Sequence, residues 1–139
     1  MKKIAILAGL LFIIGCTQPQ AEILESKLNW IRDIDVAQEM AKSENKPILI
    51  DFYTEWCGWC KRLDKDTYAD PQVQERLNQF ICVKIDAEKN KDIAKQYKIN
   101  GFPSTVFLKS SGQLIEVVPG YLPPKEFLKL LGVMLNKAE

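Results

Sequence analysis

A nearly continuous apolar run covers residues 47–53 and ends shortly before two cysteines, Cys57 and Cys60. The run is rich in β-branched and aromatic residues, which is typical of a central strand that is covered on both faces. A strand of this kind needs helices packed on both sides of its sheet. The run therefore predicts an α/β protein in which the two cysteines lie where a strand passes into a helix.

The rest of the chain contains helix and strand signals in a regular order. Apolar residues at helical spacing predict a leading helix over residues 33–44, and Asp70 followed by Pro71 is typical of a helix start. Asn90 is expected to cap a short helix over residues 91–98. The other expected elements are helices from Cys57 to about Lys65, from Asp70 to about Gln79 and from Pro123 onward, and strands at residues 80–86, 105–108 and 114–118.

The order of these segments predicts the sheet. The first two strands are separated by helices, so they are expected to pair in parallel. The last two strands flank Ser110-Ser111-Gly112, which is typical of an antiparallel β-hairpin. We therefore expect a central mixed β-sheet flanked by helices, with an additional helix at the N-terminal side.

Composition narrows the chemistry that this fold could carry. The 139 residues contain no histidine, which excludes Ser-His-Asp and Cys-His catalysis and every His-ligated metal site. The formal net charge is +1 and there is no long basic block, so no nucleic-acid partner is expected. The main chemical resource is therefore the set of four cysteines, Cys16, Cys57, Cys60 and Cys82.

Cys57 and Cys60 are close enough in sequence to bridge within one helical turn. Cys57 is expected at a helix N-terminus, where unpaired N–H groups and the helix dipole stabilise a thiolate. Cys60 would point into the first turn and be more shielded. This asymmetry predicts a relay in which Cys57 attacks a substrate disulfide and Cys60 then displaces the reduced substrate.

Three other interpretations of the cysteine pair are open at this stage. Half of a zinc site is disfavoured, because the chain has no histidine and too few thiolates to complete four ligands if Cys16 is acylated, and no metal is expected. Attachment of a c-type haem would need a histidine at position 61, which is Lys61. A permanent structural disulfide is possible, although so short a loop constrains little chain entropy.

Asp51 interrupts the apolar run and shares a strand face with Leu49 and Tyr53. Desolvation of a buried carboxyl group should raise its pKa, and a raised pKa suits a proton acceptor for Cys60. The alternative is that Asp51 bonds a backbone group or reaches solvent at the end of the strand.

The N-terminal residues have the pattern of an export signal. Two lysines are followed by an apolar stretch over residues 4–14, which is too short to span a hydrocarbon core of about 30 Å comfortably. Ile13-Ile14-Gly15-Cys16 resembles the lipobox of bacterial lipoproteins. In that family the signal is removed before the cysteine, which then carries lipid.

This resemblance implies a division of the chain into three parts. Residues 1–15 would be the signal peptide, residues 16–27 a tether lipidated at Cys16, and residues 28–139 the folded domain. The protein would then be anchored by lipid in the bacterial cell envelope, with its domain facing the periplasm or the exterior. The alternatives are a plain cleaved signal or a short uncleaved anchor, with Cys16 incidental.

Two segments of the domain resemble the thioredoxin superfamily. Residues 51–61, with Trp56-Cys57-Gly58-Trp59-Cys60, resemble its active-site segment, and residues 99–105 resemble its cis-proline segment. Gly112 and Gly120 fall where that family has its hairpin and late-strand glycines. The likeness covers residues 47–131 and is greatest to the C-terminal thioredoxin-like domain of membrane thiol:disulfide interchange reductases, through Lys46-Pro47 and residues 67–73.

The resemblance implies a thioredoxin fold and roles for individual residues. Cys57 would be the attacking thiol and Cys60 the resolving thiol, with no cofactor beyond the Cys57–Cys60 disulfide; the third catalytic residue is Asp51, the proton acceptor expected from its burial. A cis peptide bond is expected before Pro103, and the backbone of Phe102 would pair with a bound substrate chain. The residues expected to contact substrate are Trp56, Gly58, Trp59, Phe102 and Pro103.

Two departures from the family pattern carry consequences. Trp59 replaces the proline of the thioredoxin motif, and because the inner dipeptide influences the redox potential, the resemblance does not by itself assign a thioredoxin-like potential to this chain. The thioredoxin strand also holds a buried lysine near the aspartate, and Cys82 is aligned with that position. We therefore expect Asp51 to lack a cation, and Cys82 to be a buried structural thiol.

The function implied is an envelope thiol:disulfide oxidoreductase, acting as a reductase on protein substrates. Its electrons would come from a membrane donor of the interchange-reductase type, and the chain is expected to be a monomer. The rival interpretations are a non-catalytic binding module on a thioredoxin scaffold, and an oxidase or isomerase of envelope disulfides.

Overall fold

The computed structural model describes residues 28–139. The predicted signal peptide, Cys16 and the tether to residue 27 lie outside the described residues. Within residues 28–139, none of the helices is both long enough and apolar enough to cross a membrane.

The predicted helices and strands are present in the predicted order, and most of their bounds differ from the predicted ones by a few residues. The exception follows Cys57, where a short α-helix passes directly into a π-helical turn, named π1 here. The elements are α1 (Ile34–Glu44), β1 (Ile48–Tyr53), α2 (Gly58–Arg62), π1 (Leu63–Thr67), α3 (Pro71–Leu77), β2 (Ile81–Asp86), α4 (Lys91–Gln96), β3 (Ser104–Leu108), β4 (Leu114–Pro119) and α5 (Pro124–Ala138).

The structure contains one of the two helix-capping interactions that the sequence predicts. Asp70 caps α3 as predicted, because its side chain accepts hydrogen bonds from the N–H groups of Gln72 and Val73, and Pro71 occupies the first helical turn. Asn90 occupies the N-cap position of α4 as predicted, but its side chain does not cap the helix. The Asn90 side chain makes no capping bond and instead donates to the Asp86 carbonyl oxygen at 2.9 Å.

The four strands form one mixed sheet in the order β2-β1-β3-β4, which confirms the predicted fold class. β1 pairs in parallel with β2 and antiparallel with β3, and β4 closes the hairpin with β3. β1 is therefore central, with hydrogen-bonded neighbours on both sides.

Alternate residues of β1 contribute to two separate cores. Ile48, Ile50 and Phe52 pack on the face covered by α1 and α4. Leu49 packs on the opposite face, against buried residues of α3 and α5. Because β1 is buried on both faces, the residues at its carboxyl end have fixed positions, and Cys57 follows that end.

A short segment before α1 extends the sheet at the β2 edge. Ile31 forms a parallel bridge with Val83, its N–H donates to the Cys82 carbonyl oxygen at 3.0 Å, and its carbonyl accepts from Lys84 N–H at 2.9 Å. We call residues 28–32 the N-terminal edge segment. Its first residue, Leu28, lies near Ile81, at the amino end of β2.

Candidate active site

Cys57 and Cys60 form a disulfide directly after β1, with their Cα atoms 5.3 Å apart. Cys57 is the N-cap residue of α2, and its sulfur accepts a hydrogen bond from Cys60 N–H at 3.1 Å. An N–H group aimed at this sulfur, together with the helix dipole, favours a negative charge on Cys57 once the disulfide is reduced.

The two sulfurs are not distinguished by burial in this oxidised form. Cys57 is 5% exposed and Cys60 is 4% exposed. These values do not test the prediction that Cys60 is the more shielded thiol in the reduced protein, which stays a prediction. The distinction between them is instead the hydrogen bond that Cys57 accepts.

Two exposed tryptophans flank the disulfide. Trp56 is 68% exposed; its indole Nε1–H donates to Glu88 at 3.1 Å, and its ring meets the Phe102 ring edge-on at 6.1 Å. Trp59 is 56% exposed, and its ring lies 5.5 Å from the Tyr121 ring. Apolar side chains left this open offer a docking surface beside the reacting sulfurs.

The cis Phe102–Pro103 peptide bond belongs to the same surface. Trp59, Phe102 and Pro103 line a shallow pocket of about 320 Å³ together with Gly120 and Tyr121. Gly120 donates its N–H to the Pro103 carbonyl oxygen at 2.8 Å, and its φ of +93° favours glycine. Three of the predicted substrate-contacting residues therefore share one pocket.

The other two predicted substrate-contacting residues lie outside this pocket. Trp56 is on its far side, against Phe102, and Gly58 is the first residue of α2. A Cβ atom added at Gly58 would meet no neighbouring atom, so no close approach requires glycine there. Tyr121 was missed by the sequence analysis, although its position directly after Gly120 was a usable signal.

Asp51 lies in β1 and has a cation partner. Its Oδ2 is 3.2 Å from the Nζ of Lys84, and the two side chains are 1% and 8% exposed. The expectation that Cys82 takes the place of the lysine is wrong: Asp51 is paired in register with Lys84, and Cys82 is paired with Leu49. Side chains two apart on a strand point to the same face, so the pattern alone left two candidates.

Lys84 is shared between two carboxylates. Its Nζ also forms an ion pair with Asp64 of π1, whose side chain is 46% exposed. Three aromatic rings surround the same ammonium group, with centroids 5.2 Å away for Trp30 and 5.4 Å away for both Tyr53 and Tyr68. Sequence analysis did not predict this cluster, because its members come from separate parts of the chain.

The environment of Asp51 makes it a weaker acid than an exposed aspartic acid. Burial raises its pKa to about 6, the Lys84 ammonium opposes that shift, and the negative charge of Asp64 adds to it. Its Oδ1 is buried and has no hydrogen-bond partner among the described residues. At 1% exposure the side chain does not reach solvent, so that alternative is wrong. A carboxyl oxygen without a hydrogen-bond partner among the described residues is thus buried beside Lys84.

Cys82 differs from Cys57 and Cys60 because it is a free thiol buried in the core. It is 3% exposed, and burial raises the pKa of its thiol to about 12. Its sulfur lies 3.6 Å from the Leu77 carbonyl oxygen. A buried thiol with so high a pKa is unreactive, since the thiolate is the nucleophile.

A family model described as a thioredoxin-like domain matches residues 34–134. The chain belongs to this thioredoxin-like family. Its Cys57–Cys60 pair is in the disulfide form.

Similar proteins include the thiol:disulfide interchange protein DsbD of Klebsiella pneumoniae, which is 29% identical over 100 residues, or 69% of this chain and 16% of that protein. The chain spans between 16% and 20% of the length of the first DsbD relatives that it matches.

Solved structures support the fold. A thioredoxin from Thermus thermophilus superposes with a TM-score of 0.72 at 24% identity, over 80% of this chain and 89% of that one. The oxidised C-terminal domain of Neisseria meningitidis DsbD gives a TM-score of 0.62 at 22% identity, over 76% of this chain and 98% of that one.

The raised pKa of Asp51 predicts a pH-dependent stability that Asp51→Asn removes. The folded protein holds the Asp51 proton more tightly than the unfolded chain, so this stabilisation is full below about pH 4 and is lost as pH rises through about 6. The loss should total about 3 kcal/mol, taking 1.36 kcal/mol per pKa unit.

Urea unfolding of the oxidised wild type and Asp51→Asn at several pH values measures this difference. Subtracting the variant cancels the contributions of the other carboxylates, and Lys84 keeps Asp64 as its partner in the variant. A difference that stays constant between about pH 4 and pH 6 would contradict the assigned ionisation of Asp51.

Proposed function

We propose that this protein is a thiol:disulfide reductase of the bacterial cell envelope that acts on protein substrates. The observation that carries the proposal is the Cys57–Cys60 disulfide at a helix N-terminus, flanked by two exposed tryptophans. The buried Asp51 in the preceding strand, with its raised pKa, adds a proton acceptor.

Cys57 is the nucleophile in the first half of the reaction. In the reduced protein, the thiolate of Cys57 attacks one sulfur of a substrate disulfide, and the other substrate sulfur leaves as a thiolate. The N–H of Cys60 and the helix dipole stabilise the attacking thiolate. The product is a mixed disulfide between Cys57 and the substrate.

The second half belongs to Cys60 and Asp51. Asp51 accepts the Cys60 proton, and the Cys60 thiolate attacks the Cys57 sulfur of the mixed disulfide. The substrate leaves with its second sulfur reduced, so two electrons have passed from the dithiol to the substrate. The protein ends in the disulfide form of this structure, and a separate dithiol donor must reduce it for another cycle.

Backbone groups beside the disulfide are suited to holding an extended substrate. The N–H and C=O of Phe102 make no backbone hydrogen bond to any described residue. A substrate segment that pairs with them would add a short strand next to Pro103. The pocket lined by Trp59, Phe102 and Tyr121 would receive an apolar side chain near the substrate cysteine.

The resemblance of Lys46-Pro47 and residues 67–73 to membrane thiol:disulfide interchange reductases supports reduction as the direction and a membrane protein as the electron donor. The lipobox-like residues 13–16 support a lipid anchor at Cys16, which would keep the domain in the envelope near such a donor. Several acyl chains give stable anchoring, whereas one gives only marginal binding.

The roles assigned to the cysteines predict different insulin-reduction activities for three single-residue variants. Cys57→Ser and Cys60→Ser should reduce insulin no faster than the uncatalysed reaction, because each lacks one of the two thiols. Cys82→Ala is the matched control and should keep wild-type activity, since Cys82 is buried and unreactive.

The same variants identify the substrate class. Cys60→Ser should accumulate mixed disulfides through Cys57 that are absent from Cys57→Ser, and mass spectrometry would name the trapped proteins. Equal activity of all three variants and the wild type would mean that the disulfide is a structural staple in a non-catalytic binding module.

The direction of electron flow predicts a low reduction potential for the Cys57–Cys60 pair. Equilibration with glutathione redox buffers should give a value below about −200 mV, as for reducing members of this chemistry. A value of about −120 mV, which is typical of strong oxidants, would mean that the protein is an oxidase and not a reductase.

The proposed anchor predicts that Cys16 decides membrane attachment. The full chain expressed in a bacterium should incorporate labelled palmitate and fractionate with membranes, whereas Cys16→Ser should do neither. Cys82→Ala controls for loss of another cysteine and should label as the wild type does. Equal labelling of Cys16→Ser and the wild type would refute the lipoprotein interpretation.

A further inference from the structure

The ammonium group of Lys84 sits among rings from three parts of the chain. Trp30 belongs to the N-terminal edge segment, Tyr53 ends β1, and Tyr68 follows π1. Each ring centroid is within 5.4 Å of the Lys84 Nζ, a range in which the face of an aromatic ring attracts a cation. We call these three residues the ring cluster.

Backbone and side-chain contacts hold Trp30 in the ring cluster. The next residue, Ile31, bonds through its backbone to Cys82 and Lys84 of β2. The Trp30 ring meets the Tyr68 ring edge-on at 4.9 Å. Trp30 precedes the segment matched by the family model, which begins at residue 34.

Lys84 has a choice of carboxylates, and the two differ in their access to water. Asp51 is 1% exposed, whereas the Asp64 side chain is 46% exposed. The Lys84 side chain has several rotatable bonds and can pair with either carboxylate, but at 8% exposure its ammonium has lost most of its water and needs other groups to stabilise it there. The Trp30 ring stabilises the ammonium in a place where it reaches both carboxylates.

We propose that Trp30 is a positioning residue for the redox reaction, holding the Lys84 ammonium against Asp51 and so governing how readily Asp51 takes the Cys60 proton. The inference rests on the proposed oxidoreductase function for its consequence. Its first step, the effect of Trp30 on Asp51, concerns the oxidised protein alone and does not depend on turnover.

Other charged and titratable groups face this pair, and they must be held constant in a test. Asp64 raises the pKa of Asp51, and Arg32 lowers it from the edge segment. The groups packed around the pair are Lys84 and Cys82 from β2, Asp64 from π1, Arg32 from the edge segment, Tyr53 from β1 and Tyr68 after π1. A substitution at Trp30 leaves the identity of each of these groups unchanged.

The test separates the π face of the ring from its bulk. Trp30→Leu keeps an apolar side chain over Lys84 but removes the aromatic face, and Trp30→Met does the same with a more flexible chain. Trp30→Phe restores an aromatic face. Tyr97→Leu is the matched control, because Tyr97 is a buried aromatic residue that packs against Phe52 in the other core.

The measurement is the ionisation of Asp51 in the oxidised full chain, followed by carboxyl carbon NMR and assigned by its absence in Asp51→Asn. Weaker attraction between Lys84 and Asp51 should raise the Asp51 pKa in Trp30→Leu and Trp30→Met by about half a unit to one unit. Trp30→Phe should return it toward the wild-type value, and Tyr97→Leu should leave it unchanged.

A second readout links this shift to the reaction. The rate at which Cys60 releases glutathione from a Cys57–glutathione mixed disulfide should show its pH midpoint displaced in the same direction in Trp30→Leu, with Trp30→Phe restoring it. Lower unfolding free energy in a variant is not such a readout, because any loss of packing produces it.

The outcomes distinguish this inference from the proposed function. Unchanged Asp51 ionisation in folded Trp30→Leu or Trp30→Met, or equal shifts in Trp30→Leu and Trp30→Phe, would overturn the role of Trp30. Wild-type protein that fails to reduce any disulfide while these shifts are present would overturn the proposed function and leave the positioning of Lys84 established.

Discussion

The ion pair between Asp51 and Lys84 joins the two parallel strands on which the site is built. A carboxylate at 1% exposure has no water to solvate it, so its charge is tolerable only beside a cation. Removing one member of a buried pair typically costs about 3–5 kcal/mol. The pair therefore favours a single register of β1 against β2, and that register places Asp51 in the strand that leads to Cys57.

The fold was predictable because its signals are local. The apolar run of β1, the Asp70-Pro71 start of α3 and the glycine of the β3–β4 hairpin each act within a few residues. The errors arose where a second answer satisfied the same local rule. Asn90 has the chemistry of a cap but bonds backward to Asp86, and Cys82 lies on the same strand face as Lys84.

The residues of the active site also differ in whether local sequence signals predict them. Cys57, Cys60 and Asp51 were accessible to sequence reasoning, because a strand-to-helix junction and a carboxyl group in an apolar run are local features. Asp64, Trp30 and Tyr121 were not predicted, because they reach the site from other elements through the tertiary fold. These distant residues are the ones that surround the cation and complete the pocket, so they adjust the chemistry that the local motif supplies.

The N-terminal edge segment also determines at which end of the sheet the described chain begins. Ile31 runs parallel to β2, so the chain enters at the amino end of that strand, near Leu28, whereas Cys57 lies beyond the carboxyl end of β1. Six strand residues separate these ends by about 20 Å. The first described residue and the disulfide therefore lie at opposite ends of the sheet, so the surface that carries the two sulfurs is free of the chain's entry point.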